Sequence, residues 1–479
     1  MLKKNSIVQI EIDAYATSGQ GISHNLAIPV FVDGVAIGDK ISVNIYDIRK
    51  SFALGEVIEI LNESPDRVKP FCPYFSICGG CQWQHLDYQA QLKAKQDIVR
   101  NCLIHIGGFT DLLVEAVIPA VENKAYRNKA QFPLSFQNNK IEIGFYKIKS
   151  HDLININACP VASMPINQLL ENCHILLNKH KLRIYDEKNQ IGLLRHIIMQ
   201  YSFGYETILV TLVLNTKNKL SIDIKEYQKL KLFMADLMQI NQNISGICLN
   251  FNDKSGNKIL GQSFSNGVGV DYIIESLSSQ LVKWPNNNNI LKLKIKSQSF
   301  FQINPRICEK LNDEIYKVVA CLNSNNKLNI IDAYGGIGTI ALWLAPLACK
   351  IICLEISPQA IECGKDNAEL NGITNINFSQ GLVEDNLARF LLSENYDLII
   401  LDPPRKGVDI NVLNLIKKLF IKNIIYISCN PATLARDLKI LTKSYQNFAY
   451  KINLIQPLDM FSHTFHIETM VSLTLFPEP

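Results

Sequence analysis

The chain has 479 residues, of which 47% are hydrophobic and 19% charged, so it can bury sizeable cores and is not a disordered polypeptide. Its net charge of +4 does not by itself indicate a polyanionic partner, so any nucleic-acid surface has to be local. No apolar run approaches the roughly 20 residues of a membrane span, and the N-terminus lacks an apolar signal core. We therefore expect a cytoplasmic protein whose thirteen cysteines serve as thiols, metal ligands or catalytic groups rather than as disulfides.

The first 60 residues have the pattern of a small all-β unit. Residues 7–12 and 40–45 alternate apolar and polar side chains, and glycine-containing turns separate such runs. Frequent short strands with turns between them predict a small β-barrel over residues 1–60. Residues 61–109 follow as a linker, a cysteine-rich segment and a helix predicted from about residue 88 to residue 106.

The cysteine-rich segment is a candidate metal site. Cys72, Cys78 and Cys81 form a C-x5-C-x2-C array, and Cys159 is a candidate fourth ligand. Zinc sites more often pair two short cysteine hooks, whereas three clustered thiolates with a distant fourth suit an iron–sulfur cluster at least as well. The spacing leaves iron–sulfur, zinc and ordinary thiols open, with His85 as a nearby alternative ligand.

Residues 110–290 mix strands and helices in no clear periodic order, but one stretch is strongly basic. Residues 124–149 contain six lysines or arginines against Glu142 alone, interleaved with five aromatic residues. Phosphate contacts combined with aromatic stacking are what looped RNA requires. The stretch therefore predicts an RNA-facing surface, to which Lys292, Lys294 and Lys296 are candidate additions. An ordinary solvated face is the alternative.

From residue 328 onward the order becomes regular. Strands predicted at 328–331, 350–354, 375–378, 396–401 and 423–428 alternate with helices, which indicates a parallel sheet covered on both faces. The last two predicted strands, 447–455 and 466–476, have no helix between them, so one is expected to be antiparallel. Ligands bind such sheets at the carboxyl ends of the strands. Four candidate polar side chains fall at these ends: Asp332, Glu355, Asp402 and Cys429.

The first two strand ends have the features of a nucleoside-binding site. Asp332 leads into a glycine turn, where a ligand can approach the backbone closely, and Glu355 can bind both hydroxyls of a ribose. Gly336, Gly338 and Ala341 also satisfy the loose dinucleotide fingerprint, so a nicotinamide oxidoreductase is a rival interpretation.

Asp402 and Cys429 carry stronger signals. Pro403 and Pro404 stiffen the backbone after Asp402. Cys429 follows an apolar run and precedes Pro431, which suits the first turn of a helix. A helix N-terminus favours negative charge, so we expect a thiol that can ionise and attack an electron-poor carbon. A small residue that closes a strand is the alternative.

Together these segments resemble the RNA uracil-5-methyltransferase family. The resemblance covers essentially the whole chain and is most specific in the string 428–437; its other motifs are residues 299–304, 332–338, 402–407, 457–461 and 463–468. It implies a Rossmann-like, seven-stranded α/β methyltransferase domain over residues 291–479, preceded by a mixed α/β central domain over 110–290 that faces RNA and contributes Cys159. Residues 1–60 look like the TRAM β-barrel, an RNA-binding module.

The resemblance also implies the roles of individual residues. Cys429 matches the family's nucleophile and Glu468 its base. The residues at positions that hold S-adenosylmethionine are Gln302, Tyr334, Thr339, Glu355 and Asp402. The TRAM-like segment and the cysteines point to members that act on 23S ribosomal RNA and carry a [4Fe-4S] cluster, here on Cys72, Cys78, Cys81 and Cys159. The chain departs from the family at Gly335, where a cysteine is common, at Ser462, where proline is usual, and at Gly381, where a relative has a polar residue that contacts the cofactor.

We therefore expect an enzyme that forms 5-methyluridine in a looped, flipped-out segment of 23S rRNA, with no membrane association and no obligate protein partner implied. Three rivals remain: the same chemistry on tRNA, an iron–sulfur nicotinamide oxidoreductase, and an RNA-binding module without catalysis. The oxidoreductase accounts for the glycine turn and the cysteines but leaves the strings 402–407 and 428–437 unexplained.

Overall fold

The structure is a computed structural model that describes residues 2–137, 139–322 and 326–477. The chain divides into two compact units: the first holds residues up to 75, 80–121 and 383 onward, and the second holds 76–79 and 122–382. The boundaries predicted at 60, 109 and 290 concern sequence domains and stay predictions. Their outer limits, residues 1 and 479, lie outside the described residues.

The N-terminal part of the first unit is all β, as the sequence predicts. Its strands within the described residues are β1 (Ile7–Glu11), β2 (Ala14–Tyr15), β3 (Gly21–Ser23), β4 (Val30–Val32), β5 (Lys40–Ile48) and β6 (Ala53–Asn62). They form one sheet in the order β1-β5-β6-β4-β3-β2. Ile41, Val43 and Ile45 are fully buried, so the alternation at 40–45 corresponds to one core-facing side of β5.

A single long helix follows in the same unit. Helix α1 (Tyr88–Cys102) ends in a π-helical turn, Leu103–Gly107, so the helix predicted over 88–106 is confirmed. The carboxylate of Asp87 accepts a hydrogen bond of 2.9 Å from the backbone N–H of Gln89, which caps the helix start.

The second unit is built on a large mixed sheet. Its strands within the described residues are β7 (Lys129–Gln137), β8 (Lys140–Tyr146), β9 (Leu153–Asn155), β10 (Leu194–Tyr201), β11 (Ile208–Leu214), β12 (Ile244–Phe251) and β13 (Ser263–Gly269). They pair in the order β13-β12-β11-β10-β7-β8-β9, and helices α2 (Met164–His180) and α3 (Ile224–Ile240) belong to the same unit. Every residue of β10 and β11 is buried. The period-two signal is therefore absent there, which is why sequence patterning does not resolve this region.

The second unit continues into the first strands of the predicted parallel sheet. A hairpin of β14 (Tyr272–Ser278) and β15 (Ile290–Lys296) leads to helix α4 (Pro305–Leu322). The parallel elements then run β16 (Leu328–Ala333), α5 (Thr339–Leu344), β17 (Ala348–Glu355), α6 (Pro358–Leu370) and β18 (Ile376–Gln380). Strand β17 pairs in parallel with both β16 and β18, which confirms the predicted alternation.

The C-terminal part of the first unit holds the remaining strands. The elements are α7 (Val383–Ser393), β19 (Leu398–Leu401), α8 (Ile410–Lys418), β20 (Asn423–Ser428), α9 (Pro431–Thr442), β21 (Phe448–Leu458) and β22 (Glu468–Pro477). Strands β19 and β20 are parallel, whereas β22 is antiparallel to both β20 and β21. The expected antiparallel closing strand is thus confirmed, whereas helix α7 is absent from the sequence-based prediction.

None of the helices in the described ranges combines the length and the apolar composition that crossing a bilayer demands.

Candidate active site

Cys429 and Glu468 are brought together by the register of two strands. In the antiparallel pair of β20 and β22, Ser428 lies opposite Thr469. Cys429 directly follows Ser428, and Glu468 directly precedes Thr469, so each lies one residue beyond the last pair of this ladder. The two residues are 39 positions apart in sequence, yet the pairing of β20 with β22 brings them to the same edge of the sheet.

Two more charged groups act on this pair. Burial and the charges of Glu468 and Asp402 together raise the pKa of the Cys429 thiol to about 11, although Arg405 opposes them. Burial and the charge of Asp402 also raise the pKa of Glu468 well above its usual range. The pKa of Asp402 is raised to about 7 by burial. One thiol, two carboxyls and one guanidinium therefore form a single electrostatic cluster, which we call the catalytic cluster.

The expected ionisation of Cys429 is thus wrong for the resting site. Helix α9 does begin two residues later, and Asn430 caps it by accepting a hydrogen bond of 3.1 Å from the N–H of Ala432. The half-buried sulfur nevertheless experiences desolvation and two nearby carboxyls, and these outweigh the helix terminus. At neutral pH the thiol keeps its proton.

The loop after β19 is fastened to the start of α9. The carbonyl oxygen of Arg405 accepts hydrogen bonds from Asn430 Nδ2 at 3.0 Å and from Thr433 Oγ1 at 3.3 Å. The string 428–437 therefore supplies Cys429 and also positions the loop that carries Arg405.

Asp437, the last residue of that string, fixes the other end of the loop. It is fully buried and accepts hydrogen bonds from Val408 N–H at 2.9 Å, Tyr426 Oη at 2.6 Å and Arg436 Nε at 2.7 Å. Gly407 lies directly against this group with φ +80°, and a Cβ there would lie 2.6 Å from Asp437 Oδ2. Only glycine satisfies both the backbone conformation and the close approach.

The segment that leads into Glu468 is held by a buried ion pair. Lys95 of α1 contacts Asp459, and both side chains are almost completely inaccessible to solvent. Tyr88 Oη and Ser462 Oγ each donate a further hydrogen bond of 2.6 Å to Asp459. Ser462, which departs from the family's proline, thus has a defined role in this network. The sequence signal for this contact is the position of Lys95. It lies four residues after the buried Gln91 and therefore falls on the buried face of α1.

In the second unit, Glu355 organises the glycine turn. Its two oxygens accept hydrogen bonds from the backbone N–H groups of Gly336, at 3.1 Å, and Ser357, at 2.7 Å. At Gly335 a Cβ would collide with Cys353 Sγ, which explains why this chain lacks the common cysteine there. Carboxylate oxygens have further lone pairs, so Glu355 retains the capacity to accept from ribose hydroxyls.

The other predicted donor-binding residues lie in both units. Tyr334 is half-buried in the glycine turn, with φ +65°, and Thr339 is the first residue of α5. The backbone oxygen of Gln302 accepts a hydrogen bond of 3.0 Å from Asn128 Nδ2. These residues and Glu355 belong to the second unit, whereas Asp402 belongs to the first. Their contacts with a donor stay predictions.

The structure gives the predicted metal site no support. Cys72 and Cys81 belong to the first unit, and Cys78 and Cys159 to the second. Across the described ranges, no three His, Cys, Asp or Glu side chains are grouped as metal ligands. His85 is a core residue, buried with Nε2 3.0 Å from the Val35 oxygen. The [4Fe-4S] cluster on these four cysteines stays a prediction.

The predicted basic surface is only partly a surface. Tyr126 is buried, and so is Phe132, which packs 5.2 Å from Phe145 between ring centroids. Burial lowers the pKa of Lys129 to about 8. Alternate residues of β7 point inward, so half of this stretch belongs to the core.

The lysines of β15 are also engaged. Lys294 pairs with Asp366 and Lys296 with Glu362, each at 2.8 Å. Lys294 and Lys296 are therefore engaged in ion pairs and are not free to contact phosphate.

Sequence and structure comparisons agree on the class of protein. A family model described as tRNA (Uracil-5-)-methyltransferase matches residues 87–475. A Bacillus cereus protein described as an uncharacterized RNA methyltransferase is 34% identical over 99% of this chain and 97% of its own length. A Clostridium tetani protein with the same description is also 34% identical, over 99% and 98% respectively.

A solved structure shows the same fold over nearly the whole chain. The Pyrococcus abyssi tRNA (uracil-54, C5)-methyltransferase, in complex with S-adenosyl-L-homocysteine, superposes with a TM-score of 0.73 at 24% identity. The alignment covers 98% of this chain and all of that one. This fold is that of the class I α/β methyltransferases, which confirms the predicted fold class. The chain belongs to the tRNA (uracil-5-)-methyltransferase family and is an RNA uracil-5-methyltransferase.

Proposed function

We propose that this enzyme transfers a methyl group from S-adenosylmethionine to C5 of a specific uridine in 23S rRNA, through a covalent bond between Cys429 and C6 of the uracil. The observation that carries the proposal is that Cys429 and Glu468 lie one residue beyond the Ser428–Thr469 pair, where the charges of Glu468, Arg405 and Asp402 all act on the thiol. C5 of uracil is a poor nucleophile, so the reaction requires a thiol that adds to one carbon and a base that deprotonates its neighbour.

The first step is addition of the Cys429 sulfur to C6. Because the resting thiol is protonated, its proton has to leave as the S–C6 bond forms. We assign Asp402 as the acceptor, since a pKa near 7 leaves a substantial ionised fraction at neutral pH. The electron pair of the C5=C6 bond moves toward O4 and gives an enolate that is nucleophilic at C5.

The second step restores the aromatic ring. C5 of the enolate takes the methyl group from the donor sulfur, whose bond to that methyl breaks, after which Glu468 in its ionised form removes the C5 proton and then releases it to solvent. The electrons of that C–H bond re-form C5=C6 and expel the sulfur as a thiolate, which recovers a proton from Asp402. A carboxyl with a strongly raised pKa is a good base once ionised, and this suits removal of a carbon-bound proton.

S-adenosylmethionine supplies the methyl group on a positively charged sulfur. We propose that Gln302, Tyr334, Thr339 and Glu355 hold it, together with Asp402. Support comes from the Glu355-braced glycine turn and from the S-adenosyl-L-homocysteine in the Pyrococcus abyssi relative. Replacement of Glu355 with glutamine should raise KM for the donor more than KM for RNA, whereas the exposed Glu362→Gln should change neither.

The choice of 23S rRNA rests on the N-terminal six-stranded sheet and on its resemblance to the TRAM module. A tRNA substrate is the second candidate, favoured by the stated substrate of the Pyrococcus abyssi relative. Transfer of tritium from labelled donor to 23S rRNA and tRNA transcripts tests both. Label in 5-methyluridine of 23S rRNA alone supports the proposal, label in tRNA alone selects the second candidate, and label in neither overturns both.

The reaction as proposed draws on no iron–sulfur chemistry. The [4Fe-4S] prediction depends on the spacing of Cys72, Cys78, Cys81 and Cys159 and on the resemblance. Iron and sulfide analysis of anaerobically purified protein tests it, and the absence of both would end it. We propose a cytoplasmic location, because the nucleophilic role of Cys429 requires a reduced thiol.

A further inference from the structure

A groove in the second unit has the features of a binding site that the reaction does not use. It encloses about 1070 Å³ and lies among strands β7 and β8, the segment 181–192 and the start of β10. Its lining includes Ser135, Phe136, Tyr146, Tyr185, Arg195 and His196. We call it the central groove.

A β-bulge shapes one wall of the central groove. The pairing of β10 with β11 shifts between Leu194 and His196, so Arg195 is an extra residue without its own partner on β11. Successive residues of a regular strand point to opposite faces. A bulge re-aims a side chain, which accounts for the presence of both Arg195 and His196 in the lining.

Arg195 is held by two hydrogen bonds but keeps a buried, unused donor. It is 5% exposed, and its Nη1 donates to the backbone oxygens of Asn252 at 2.9 Å and Lys254 at 2.7 Å. Its guanidinium carbon lies 4.6 Å from the ring centroid of Tyr185. Its buried Nε has no hydrogen-bond partner among the residues that the structure describes.

Two further buried polar atoms of the lining also lack a hydrogen-bond partner within the described ranges, namely His196 Nδ1 and Ser135 Oγ. Burial and the adjacent Arg195 lower the pKa of His196 to about 4, so the imidazole is neutral and each ring nitrogen can donate or accept according to the tautomer. Buried polar groups are nearly always satisfied in folded proteins. Three such atoms around one groove indicate that something polar completes it.

The aromatic and basic side chains of the lining indicate the kind of polar ligand that the groove binds. Phe136, which is 60% exposed, and the half-buried Tyr146 both line the groove. The lining also carries four exposed cationic side chains: Lys181, Arg183, Lys188 and Lys258. The lining also has three acids. Glu187 is paired with His151 at 2.8 Å, Asp186 accepts hydrogen bonds within its own loop, and Asp152 lies 3.9 Å from Lys147.

We propose that the central groove binds an unpaired nucleotide of the RNA substrate, distinct from the uridine that is methylated. Its base stacks on the aromatic side chains and bonds to Arg195 Nε, His196 Nδ1 and Ser135 Oγ, and the basic side chains contact the flanking phosphates. This inference rests on the proposed function, because the RNA substrate supplies the nucleotide.

The test compares two aromatic variants of the full-length enzyme. Phe136→Ala removes the exposed stacking surface, and Tyr205→Ala removes a 44% exposed aromatic side chain of the same unit that does not line the groove. Phe136→Ala should raise the Kd for the RNA transcript about tenfold and raise KM similarly, with a much smaller change in kcat. Tyr205→Ala should leave the Kd within about twofold, and equal Kd values for the two variants would overturn the inference.

A second arm separates RNA from free nucleotide. Saturable binding of uridine or adenosine monophosphate that Phe136→Ala weakens, with an unchanged Kd for RNA, would make the groove a free-nucleotide site and overturn the inference. His196→Gln, which keeps a polar atom, should weaken RNA binding less than His196→Leu at the same melting temperature. Because Kd is measured without methyl transfer, a failure of the proposed chemistry can be distinguished from a failure of the groove to bind RNA.

Discussion

The catalytic cluster in the first unit and the glycine turn in the second use their carboxylates in opposite ways. In the glycine turn, Glu355 accepts a hydrogen bond from the backbone N–H of Gly336, and Asp332 accepts one of 3.2 Å from the backbone N–H of Ala341. These bonds shape the loop. In the catalytic cluster, Asp402 and Glu468 are crowded around a thiol, and their pKa values are raised. One region uses its carboxylates to hold a backbone, whereas in the other the raised pKa values of Asp402 and Glu468 prepare these groups to exchange protons.

The largest effect should come from Glu468→Gln. Because we propose that Glu468 removes the C5 proton, its loss should lower kcat by about 10²- to 10⁴-fold and leave a methylated RNA–protein adduct to accumulate. Single-turnover kinetics with denaturing gels measure both. Glu11→Gln, a change at an exposed carboxylate of the same unit, should have no effect, and a normal kcat for Glu468→Gln would remove the distinction between the two regions.

The scaffold of the catalytic region should depend strongly on Lys95. Lys95→Met leaves Asp459 buried without its counter-charge, so the free energy of unfolding should fall by about 3–5 kcal/mol. Lys93→Met, on the same helix, removes an exposed lysine 3.8 Å from Asp97 and should change stability by less than about 0.5 kcal/mol. Urea denaturation measures both, and similar losses in the two variants would mean that the buried pair does not hold this segment.

Gly407 should show a smaller but separable effect. Gly34→Ala places a side chain at φ +74° with open space around it, so it should lower the free energy of unfolding by about 1–2 kcal/mol through backbone strain. Gly407→Ala adds a clash with Arg436 and Asp437 and should lower it by a further 1–3 kcal/mol or so. Thermal denaturation of the pair tests this, and equal losses would contradict the close packing described for the loop 402–408.

The smallest expected effect tests the charges of the catalytic cluster directly. Asp402 raises and Arg405 lowers the pKa of Cys429, so at pH 8 Asp402→Asn should speed alkylation of this thiol and Arg405→Gln should slow it, each by up to about tenfold. In the wild type the rate should keep rising between pH 8 and 10, because the thiol titrates near 11. Mass spectrometry of the Cys429 peptide follows the reaction, with the exposed Cys321 and Cys349 as internal references. A plateau below pH 9 would contradict the raised pKa.

The sequence predicted where Cys429 lies in the fold better than the charge state of its thiol. The position of Cys429 after strand β20 is confirmed, whereas the catalytic roles of Cys429 and Glu468 stay predictions. The raised pKa of the thiol escaped prediction because it depends on burial and on Glu468 and Asp402 from other strands, which no local pattern reports. Strands β10 and β11 could not be predicted because all their residues are buried and show no alternation. The lowered pKa of Lys129 could not be predicted either, because it depends on burial by the surrounding sheet.

The most direct test of the central claim is a trapping experiment with transcripts that carry 5-fluorouridine, whose fluorine replaces the C5 proton that we propose Glu468 removes. We predict an adduct that survives a denaturing gel, requires S-adenosylmethionine, maps to the peptide containing Cys429 and is absent from Cys429→Ala but present in Cys321→Ala. Failure of donor-loaded wild-type enzyme to form that adduct with a 5-fluorouridine transcript whose unsubstituted form it methylates would contradict the account.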